Sequence, residues 1–320
     1  MTRYQAKRLA LRLESFYREI SFFHRIKDDP IEIPRRYKDP RDIEVVAWLT
    51  AALSYGRVDL FKNTVGQILD LSSGHPDHYL RAFDLSRERK RFRGIYYRLN
   101  ATEDLLAFVY LMSRVLVRHG SLKNLFVSLY RKEEEDIGPT LSRVIAEIRS
   151  FDLRPIYGRN QAPAGLRQLL SAPSSGSACK RMNLFLRWMV RPKEAKDGID
   201  FGLWPEIPAE KLIIPLDTHI ARISRYLGLT TRKSSGWKMA KEITDSLLRF
   251  DPHDPVKYDF ALCHLGISGA CPIKPNWEKC GVCPLLGACK RGRINYRQRP
   301  RKPLGAQGDQ TRWPYEPGLL

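Results

Sequence analysis

Four of the six cysteines in this 320-residue chain lie close together near its C-terminus. They form a C-x8-C-x2-C-x5-C array of Cys271, Cys280, Cys283 and Cys289. Disulfide frameworks spread their cysteines through small secreted domains, whereas a clustered quartet of thiols is typical of a metal site. The proline and glycine residues between the thiols indicate a loop. The array therefore predicts a loop that binds a metal ion or a metal cluster.

Zinc and an iron-sulfur cluster are both candidate occupants of this loop. Structural zinc usually recruits two C-x2-C pairs, and this array contains only one. Iron-sulfur clusters accept four thiolates at uneven spacings, so the spacing favours a [4Fe-4S] cluster over zinc. The other two cysteines, Cys179 and Cys263, lie outside the array. A solitary cysteine on an apolar helix face more often packs than binds metal, and we assign neither to the site.

A carboxylate and an amine are each predicted at the start of a helix upstream of the array. Asp217 precedes the helical pattern that ends at Gly228, and Lys180 follows a stretch rich in proline, glycine and serine. Both have structural alternatives. Asp217 could be an ordinary N-cap, and Lys180 could contact a phosphate. Beside a metal loop, however, a carboxylate and an amine also suit acid-base and nucleophilic chemistry.

The formal net charge of +20 predicts a polyanionic partner. Basic residues cluster at 87–98, where aromatic side chains are interleaved, and at 290–302, where no acidic residue occurs. Solvated helix faces and a solubilising tail are the alternatives. Because the second cluster follows the cysteine array directly, we favour nucleic acid. The predicted DNA contacts are Arg57, Lys274, Lys290, Arg291 and Arg293.

Apolar residues recur at helical spacing through most of the chain, and no strand alternation or internal repeat is visible. The fold class is therefore predicted to be all-α. The predicted helices cover residues 40–53, 105–117, 122–129, 180–190, 217–227, 237–250 and 256–265. Asp39 and Asp254, each followed by proline, are the predicted N-caps of the first and last of these. Residues 191–211 are predicted to be irregular.

The chain is predicted to divide into three segments. Residues 1–38 are an N-terminal helical segment, residues 39–290 a helical core that includes the loop at 271–289, and residues 291–320 a basic, disordered tail. No segment approaches eighteen continuous apolar residues, and the N-terminus lacks a signal-peptide core. We therefore expect a cytoplasmic, nucleoid-associated monomer that does not contact the membrane.

Together these features resemble the helix-hairpin-helix (HhH-GPD) DNA glycosylases of the endonuclease III type. The strongest match is Leu216-Asp217-Thr218-His219-Ile220-Ala221-Arg222, which is similar to that superfamily's V-D-T-H-hydrophobic-x-R signature. Residues 45–54 are similar to its first core helix. Most of residues 40–290 is covered. Within the superfamily the chain looks closest to a bacterial group of uncharacterised proteins defined by a domain of unknown function.

Three features depart from the family pattern. The family's cysteine loop is C-x6-C-x2-C-x5-C, so the first interval here is two residues longer. The family hairpin L-P-G-x-G-x-K is replaced by Pro173-Ser174-Ser175-Gly176-Ser177-Ala178-Cys179-Lys180. The family lysine precedes the aspartate by eighteen positions, where this chain has Ile199. Lys180 lies thirty-seven positions before Asp217, and the irregular segment 191–211 accounts for the difference.

The resemblance implies a two-lobed helical enzyme of DNA base-excision repair with a [4Fe-4S] loop. Asp217 would stabilise the positive charge that develops on the sugar as an N-glycosidic bond breaks, and Lys180 would add AP-lyase activity through a Schiff base. The expected partner is damaged or abasic duplex DNA, or a single strand. Two alternatives stay open: a non-catalytic nucleic-acid-binding protein on the same fold, and a base- or nucleoside-processing enzyme outside general repair.

Overall fold

The computed structural model describes residues 2–20, 23–193, 195, 198–274 and 276–299. Within these ranges every regular element is a helix and no strand occurs; Tyr97 and Asn100 form one isolated bridge. This confirms the predicted all-α class for the described part of the chain. The α-helices are α1 (Arg3–Glu19), α2 (Phe23–Ile26), α3 (Pro40–Leu53), α4 (Val58–Asp70), α5 (Pro76–Arg81), α6 (Leu85–Arg91), α7 (Thr102–His119), α8 (Leu122–Leu129), α9 (Gly138–Arg149), α10 (Arg154–Tyr157), α11 (Ala164–Leu169), α12 (Lys180–Val190), α13 (Thr218–Leu227), α14 (Trp237–Leu248), α15 (Asp259–Ile267), α16 (Trp277–Gly281) and α17 (Lys290–Arg297).

The helices form two compact units. The first unit, which we call the terminal unit, contains the described residues up to Arg25 together with those from Ile214 onward. The second, which we call the central unit, runs from Ile26 to Ile213. These limits differ from the segment boundaries expected at residues 38 and 290, because α1 packs with helices that lie late in the chain.

Two predicted helix starts have the expected caps. The Asp39 side chain accepts a hydrogen bond from the Arg41 amide before α3, and the Asp217 side chain accepts one from the Ile220 amide before α13. The helix predicted from 256 begins instead at Asp259, so the prediction of Asp254 as its N-cap was wrong. The residues between them form a turn in which Lys257 and Tyr258 bind the side chain of Glu14 on α1.

The core of the central unit is built around α3, which is almost entirely buried. Its Trp48 ring meets Phe108 of α7 edge to face, with ring centroids 5.3 Å apart. Glu44 is a buried carboxylate on the same helix. It accepts hydrogen bonds from the Leu122 amide at 2.7 Å, the Lys123 amide at 3.2 Å and the Trp204 indole at 3.0 Å. It therefore caps α8 from α3, which fixes the angle between these two helices.

The segment after α12 is irregular, as expected, yet it is held in place. Asp200 is fully buried, and its carboxylate pairs with the Arg187 Nε at 3.2 Å and the Arg191 Nη1 at 3.0 Å. The Phe201 and Trp204 amides donate to backbone carbonyls of α12. Because a buried carboxylate must be paired to be tolerated, the two arginines fix this segment against α12.

The terminal unit joins the two ends of the described chain. On α1, the side chains of Leu9, Leu13, Phe16 and Tyr17 are buried. The Glu14 carboxylate lies 2.9 Å from the Lys257 Nζ, which in turn lies 2.6 Å from Asp251. Burial alone would lower the pKa of Lys257, but its hydrogen bonds to Asp251 and Glu14 outweigh burial and raise the pKa above its ordinary value. This ion-pair network fixes α1 to the turn before α15.

Helix α17 covers the first residues of the segment predicted to be a disordered tail. The rest of that tail, from residue 300 onward, lies outside the described residues. Among the described residues, no single helix is long and apolar enough to cross a membrane. Helices α7 and α8, which meet at a 67° bend, pass the same length and composition test only as a pair.

Candidate functional site

The four cysteines of the array line one cavity in the terminal unit. Cys271 follows α15, Cys280 lies in α16, and Cys289 is the N-cap of α17, so three separate helix ends bring the thiols together. The cavity has a volume of about 40 Å³ and is also lined by Tyr226, Leu286 and Asn295. The structure thus places the four cysteines around a common space, and their binding of a metal stays a prediction.

Polar contacts reach two of the sulfur atoms. The Gly292 amide donates to the Cys289 Sγ at 3.2 Å, and the Asn295 side-chain amide donates to the Cys280 Sγ at 3.6 Å. N–H groups directed at sulfur stabilise a thiolate and tune any metal that it binds. These two donors come from α17, so the basic helix also supports the cavity.

Burial makes the ligand-free thiols poor acids. It raises the pKa of Cys271 to about 11 and that of Cys283 to about 12, and it also raises the pKa of Cys289. Interactions among the thiols of the array raise these pKa values further. A positively charged occupant would reverse this balance. Among the described residues, no three His, Cys, Asp or Glu side chains are grouped closely enough to hold a single metal ion.

Asp217 is half-buried at the start of α13. Its Oδ1 accepts a hydrogen bond from the Ile220 amide at 2.7 Å. Its Oδ2 lies 3.4 Å from the Sγ of Cys263, whose thiol donates to it from α15. The sequence predicts only packing for Cys263 and gives no sign of this contact, since no local spacing signals a pair that is 46 residues apart.

Helix α13 also contacts the cysteine loop. Arg222, the last residue of the signature around Asp217, donates to the Cys271 carbonyl at 2.7 Å. His219 packs against Gly266 so closely that a Cβ added there would lie 2.6 Å from the imidazole. The helix that begins at Asp217 is thus fixed to α15 on one side and to the first cysteine on the other.

Lys180 lies in the central unit, as the first residue of α12. Its Nζ donates to the Ser54 carbonyl at 3.0 Å, at the C-terminal end of α3. Cys179 before it has a φ of 48°, a left-handed conformation that is uncommon for any residue except glycine. The segment from Pro173 to Lys180, which stands in place of the family hairpin, is a 3₁₀ helix at Pro173–Ser175 followed by this turn.

Arg181, which the sequence analysis did not single out, lies beside Lys180. Its Nη1 donates to the Ala52 carbonyl at 3.0 Å, and its guanidinium carbon lies 5.2 Å from the centre of the Tyr55 ring. Burial lowers the pKa of Arg181. Lys180 and Arg181 together occupy the carbonyl groups at the end of α3, where the helix dipole favours cations.

The predicted DNA contacts fall into two groups. Lys274, Lys290, Arg291 and Arg293 are exposed in the terminal unit, on or near the cysteine loop and the start of α17. Arg57 is in the central unit, where it pairs with Asp59 at 2.6 Å. Its charge is therefore partly neutralised within the protein, whereas the four residues near the loop make no ion pair within the described chain.

The basic cluster at 87–98 is in part structural. Glu88 on α6 is fully buried, and it pairs with Arg87 at 2.7 Å and Arg91 at 3.0 Å. It also accepts a 2.6 Å hydrogen bond from the Tyr79 hydroxyl. Burial would raise the pKa of Glu88, but these partners lower it below its usual value. Two of the arginines therefore compensate a buried charge, which reduces their availability to a polyanion.

Residues 29–268 match the model of a protein family described as a protein of unknown function, DUF2400. No curated protein and no solved structure matches the chain. The matched residues include Asp217, Lys180 and Cys263. The cysteine array, α17 and all of α1 lie outside them.

Proposed function

We propose a function for this chain, which belongs to that family of unknown function, from the geometry of its terminal unit. The protein is a DNA-processing enzyme that cleaves the N-glycosidic bond of a damaged or modified base, on a helical fold of the endonuclease III type. One observation carries the proposal. A single helix, α13, begins at a half-buried carboxylate, Asp217, and is hydrogen-bonded through Arg222 to a loop whose four thiols surround a cavity.

The chemistry of the proposal depends on the charge of Asp217. Breaking an N-glycosidic bond leaves positive charge on the sugar, and a fixed carboxylate stabilises that charge more in the transition state than in the ground state. Groups that act in this way contribute about 2.7–4 kcal/mol to catalysis. The Ile220 amide and the Cys263 thiol both hydrogen-bond to the carboxylate, so its orientation is fixed. An oriented carboxylate can also position and deprotonate a water molecule that attacks the sugar.

Lys180 has a separate role in the proposal, which is the lyase step. After the Lys180 ammonium gives up a proton to solvent, its amine forms a bond to the anomeric carbon; the bond to the base breaks, and the electron pair of that bond leaves with the base. Opening of the sugar ring then gives a Schiff base, from which elimination of the 3′ phosphate cleaves the strand. The amine is held at the C-terminal end of α3 through the Ser54 carbonyl, which fixes its direction.

The donor set of the array suits a [4Fe-4S] cluster, because such clusters are held by four cysteine thiolates. The cavity that the thiols line has a volume of about 40 Å³, which is more than the roughly 10–15 Å³ that one water molecule requires. Such a cluster, when bound, would hold the three helix ends of the loop together. Zinc would instead require the four sulfur atoms to converge within about 2.3 Å of one point. Iron, sulfide and zinc analysis of anaerobically purified protein distinguishes the two occupants.

The enzymatic part of the proposal is tested by borohydride trapping on a duplex with one abasic site. We expect a covalent protein–DNA adduct with the wild type and none with Lys180→Ala. Lys238→Ala is the matched control, because Lys238 is an exposed lysine in the first turn of another helix, α14. An adduct that survives Lys180→Ala would refute the lyase role.

Base excision itself is tested with duplexes that carry a panel of damaged bases, by mass spectrometry of the released base. We expect release of at least one base, and loss of that release in Asp217→Asn. If the wild type binds the duplexes but releases nothing from the panel and forms no adduct, the chain is a nucleic-acid-binding protein without this chemistry.

A further inference from the structure

A second cavity in the terminal unit is strongly basic. It has a volume of about 420 Å³ and lies between α1, the cysteine loop and α17. Four arginines line it, two from each helix, and we call them the arginine groove: Arg8, Arg12, Arg293 and Arg297. Apart from Arg293, the sequence analysis did not single these residues out. The cysteine loop and α17 are adjacent in the sequence, whereas α1 reaches the groove only in the folded unit.

The arginine groove carries uncompensated charge. None of its four arginines pairs with a carboxylate in the described parts of the chain, although Glu14 on the same helix as Arg8 and Arg12 pairs with Arg18 and Lys257. Two of the arginine side chains, those of Arg8 and Arg12, converge over Gly287 of the loop. A Cβ added to Gly287 would lie 3.2 Å from the Arg8 Nη2 and 3.4 Å from the Arg12 Nε. Guanidinium groups remain charged at any ordinary pH, so these exposed cations repel one another and an anion in the groove would offset that repulsion.

The spacing of the cations suits a row of anions. Arg8 and Arg12 are one turn apart on α1, and Arg293 and Arg297 are one turn apart on α17. Side chains at this spacing lie on the same face of a helix, about 6 Å apart. Two such pairs face one groove, so the groove can neutralise several anionic groups in a row, and a single small anion would leave most of it unpaired.

The groove offers charge but no stacking surface. Tyr296 is the aromatic residue in its lining, and its ring is already in contact with other groups. The Arg299 guanidinium carbon lies over the ring, 4.1 Å from its centre, and a Cβ added to Gly281 would be 2.9 Å from a ring carbon. Single-stranded nucleic-acid sites that grip bases use free aromatic faces. This groove is therefore built to contact phosphates and not bases.

We propose that the arginine groove binds consecutive phosphates of one nucleic-acid strand, without regard to base sequence. The inference rests on the proposed function, because it takes nucleic acid as the partner, and it extends the contact surface to α1 and the end of α17. Cys283 and Leu286 line both the groove and the thiol cavity, so these two cavities share part of the cysteine loop as a common wall. Phosphate contacts position a strand and leave its sequence unread, which suits an enzyme that searches DNA for rare sites.

The groove is tested by the salt dependence of binding, measured by fluorescence anisotropy. The protein carries Asp217→Asn to stop turnover, and the probes are a labelled single strand of about 20 nucleotides and its duplex. Each lost phosphate contact lowers the slope of log K against log salt by about 0.7 for a single strand and about 0.9 for a duplex. We expect Arg8→Gln with Arg12→Gln to lower the slope by about 1.4–1.8 and to weaken binding roughly tenfold near 0.1 M salt.

A matched control removes the same charge from the same helix. Arg3 and Lys7 are exposed on α1 but do not line the groove, so Arg3→Gln with Lys7→Gln is expected to leave the slope unchanged. Gly287→Asp is an independent test, because it places a carboxylate among the arginines without removing any of them. We expect it to weaken binding as the double arginine variant does. Equal slopes for the groove and control variants would overturn the inference.

Further outcomes separate the inference from the proposed function. If inorganic phosphate displaces the strand more effectively than sodium chloride of equal ionic strength, the groove is a single-phosphate site and the inference fails. If the groove variants lose binding only to vesicles of anionic lipid, the partner is a membrane and the inference also fails. If the groove variants lose strand binding while the enzyme without Asp217→Asn releases no base and forms no adduct, the inference stands and the proposed chemistry fails.

Discussion

Asp217 has two explanations, an active-site carboxylate and a helix cap, and one set of substitutions separates them. Its Oδ1 accepts a 2.7 Å hydrogen bond from the Ile220 amide, and the Oδ1 of Asp39 accepts a 2.8 Å bond from the Arg41 amide at the start of α3. Asparagine caps a helix about as well as aspartate, whereas alanine costs about 1 kcal/mol. Asp217→Asn should therefore leave stability within a few tenths of a kcal/mol, and Asp217→Ala should lower Tm by about 4 °C.

Activity should respond differently from stability. Asparagine keeps the cap but removes the negative charge, so Asp217→Asn is expected to slow base release by about 10²–10⁴-fold, which equals about 2.7–5.4 kcal/mol of transition-state stabilisation. Asp39→Asn and Asp39→Ala are the matched controls, since they change a cap that has no proposed part in the chemistry. Their Tm shifts should resemble those of the Asp217 variants while their rates stay within about twofold of wild type.

The assay is single-turnover base release under saturating enzyme, with thermal unfolding of each variant measured alongside. The reasoning is refuted if Asp217→Asn keeps the wild-type rate while Asp217→Ala lowers Tm. In that case the carboxylate is a cap and nothing more. A fall in rate that only follows the loss of folded protein at the assay temperature would lead to the same conclusion.

Other regions of the chain give three further predictions. Cys283→Ser should abolish the visible absorption and bound iron of anaerobically purified protein, whereas Cys263→Ser, outside the array, should keep both. Glu44→Ala leaves three N–H groups without this acceptor, two of them buried, and should cost about 3 kcal/mol in urea unfolding. A cost below about 1 kcal/mol would contradict the assignment of Glu44 as the cap of α8. Lys257→Met should cost about 1–2 kcal/mol near pH 7. Burial would raise the pKa of Glu14, but its hydrogen bond and charge interaction with Lys257 hold that pKa below its ordinary value. The stability that the ion pair contributes is therefore fully present above about pH 4.3 and is lost as the pH falls further. Lys257→Met should thus lose less unfolding free energy between neutral and acidic pH than the wild type does.

Much of the helical architecture follows from the sequence because its causes are local. Asp39 with Pro40, and Asp217 with Gly228, mark helix ends through caps that involve residues within a few positions. The start of α15 did not follow from its sequence. Asp254 with Pro255 is a good local signal, but the turn before α15 is held by ion pairs with Glu14, on a helix some 240 residues away. A local rule cannot anticipate a partner at that distance.

In the candidate site, too, local features follow from the sequence and contacts between distant residues do not. The cysteine spacing alone identified four residues that line one cavity, because the array is contained in nineteen residues. The thiol of Cys263 beside Asp217, and the position of Arg222 on the Cys271 carbonyl, depend on the packing of α13 against α15 and the loop. The arginine groove depends on α1 reaching the far end of the chain. Its two arginine pairs have the i, i+4 spacing of any helix face, so their sequence carries no sign that they meet.

Because the terminal unit combines the first helix with the last ones, it cannot assemble until the ribosome has synthesised the helices that follow residue 213. Four buried side chains on α1 have their partners in the terminal unit, and Tyr17 meets Tyr258 edge to face with centroids 5.9 Å apart. At about 5–20 residues per second, the ribosome needs on the order of 10–50 s between completing α1 and delivering Tyr258. During that time the central unit can fold while α1 carries an exposed apolar stripe. A nascent chain arrested before residue 257 should therefore engage chaperones through its own N-terminus, and synthesis of the remaining residues should end that engagement.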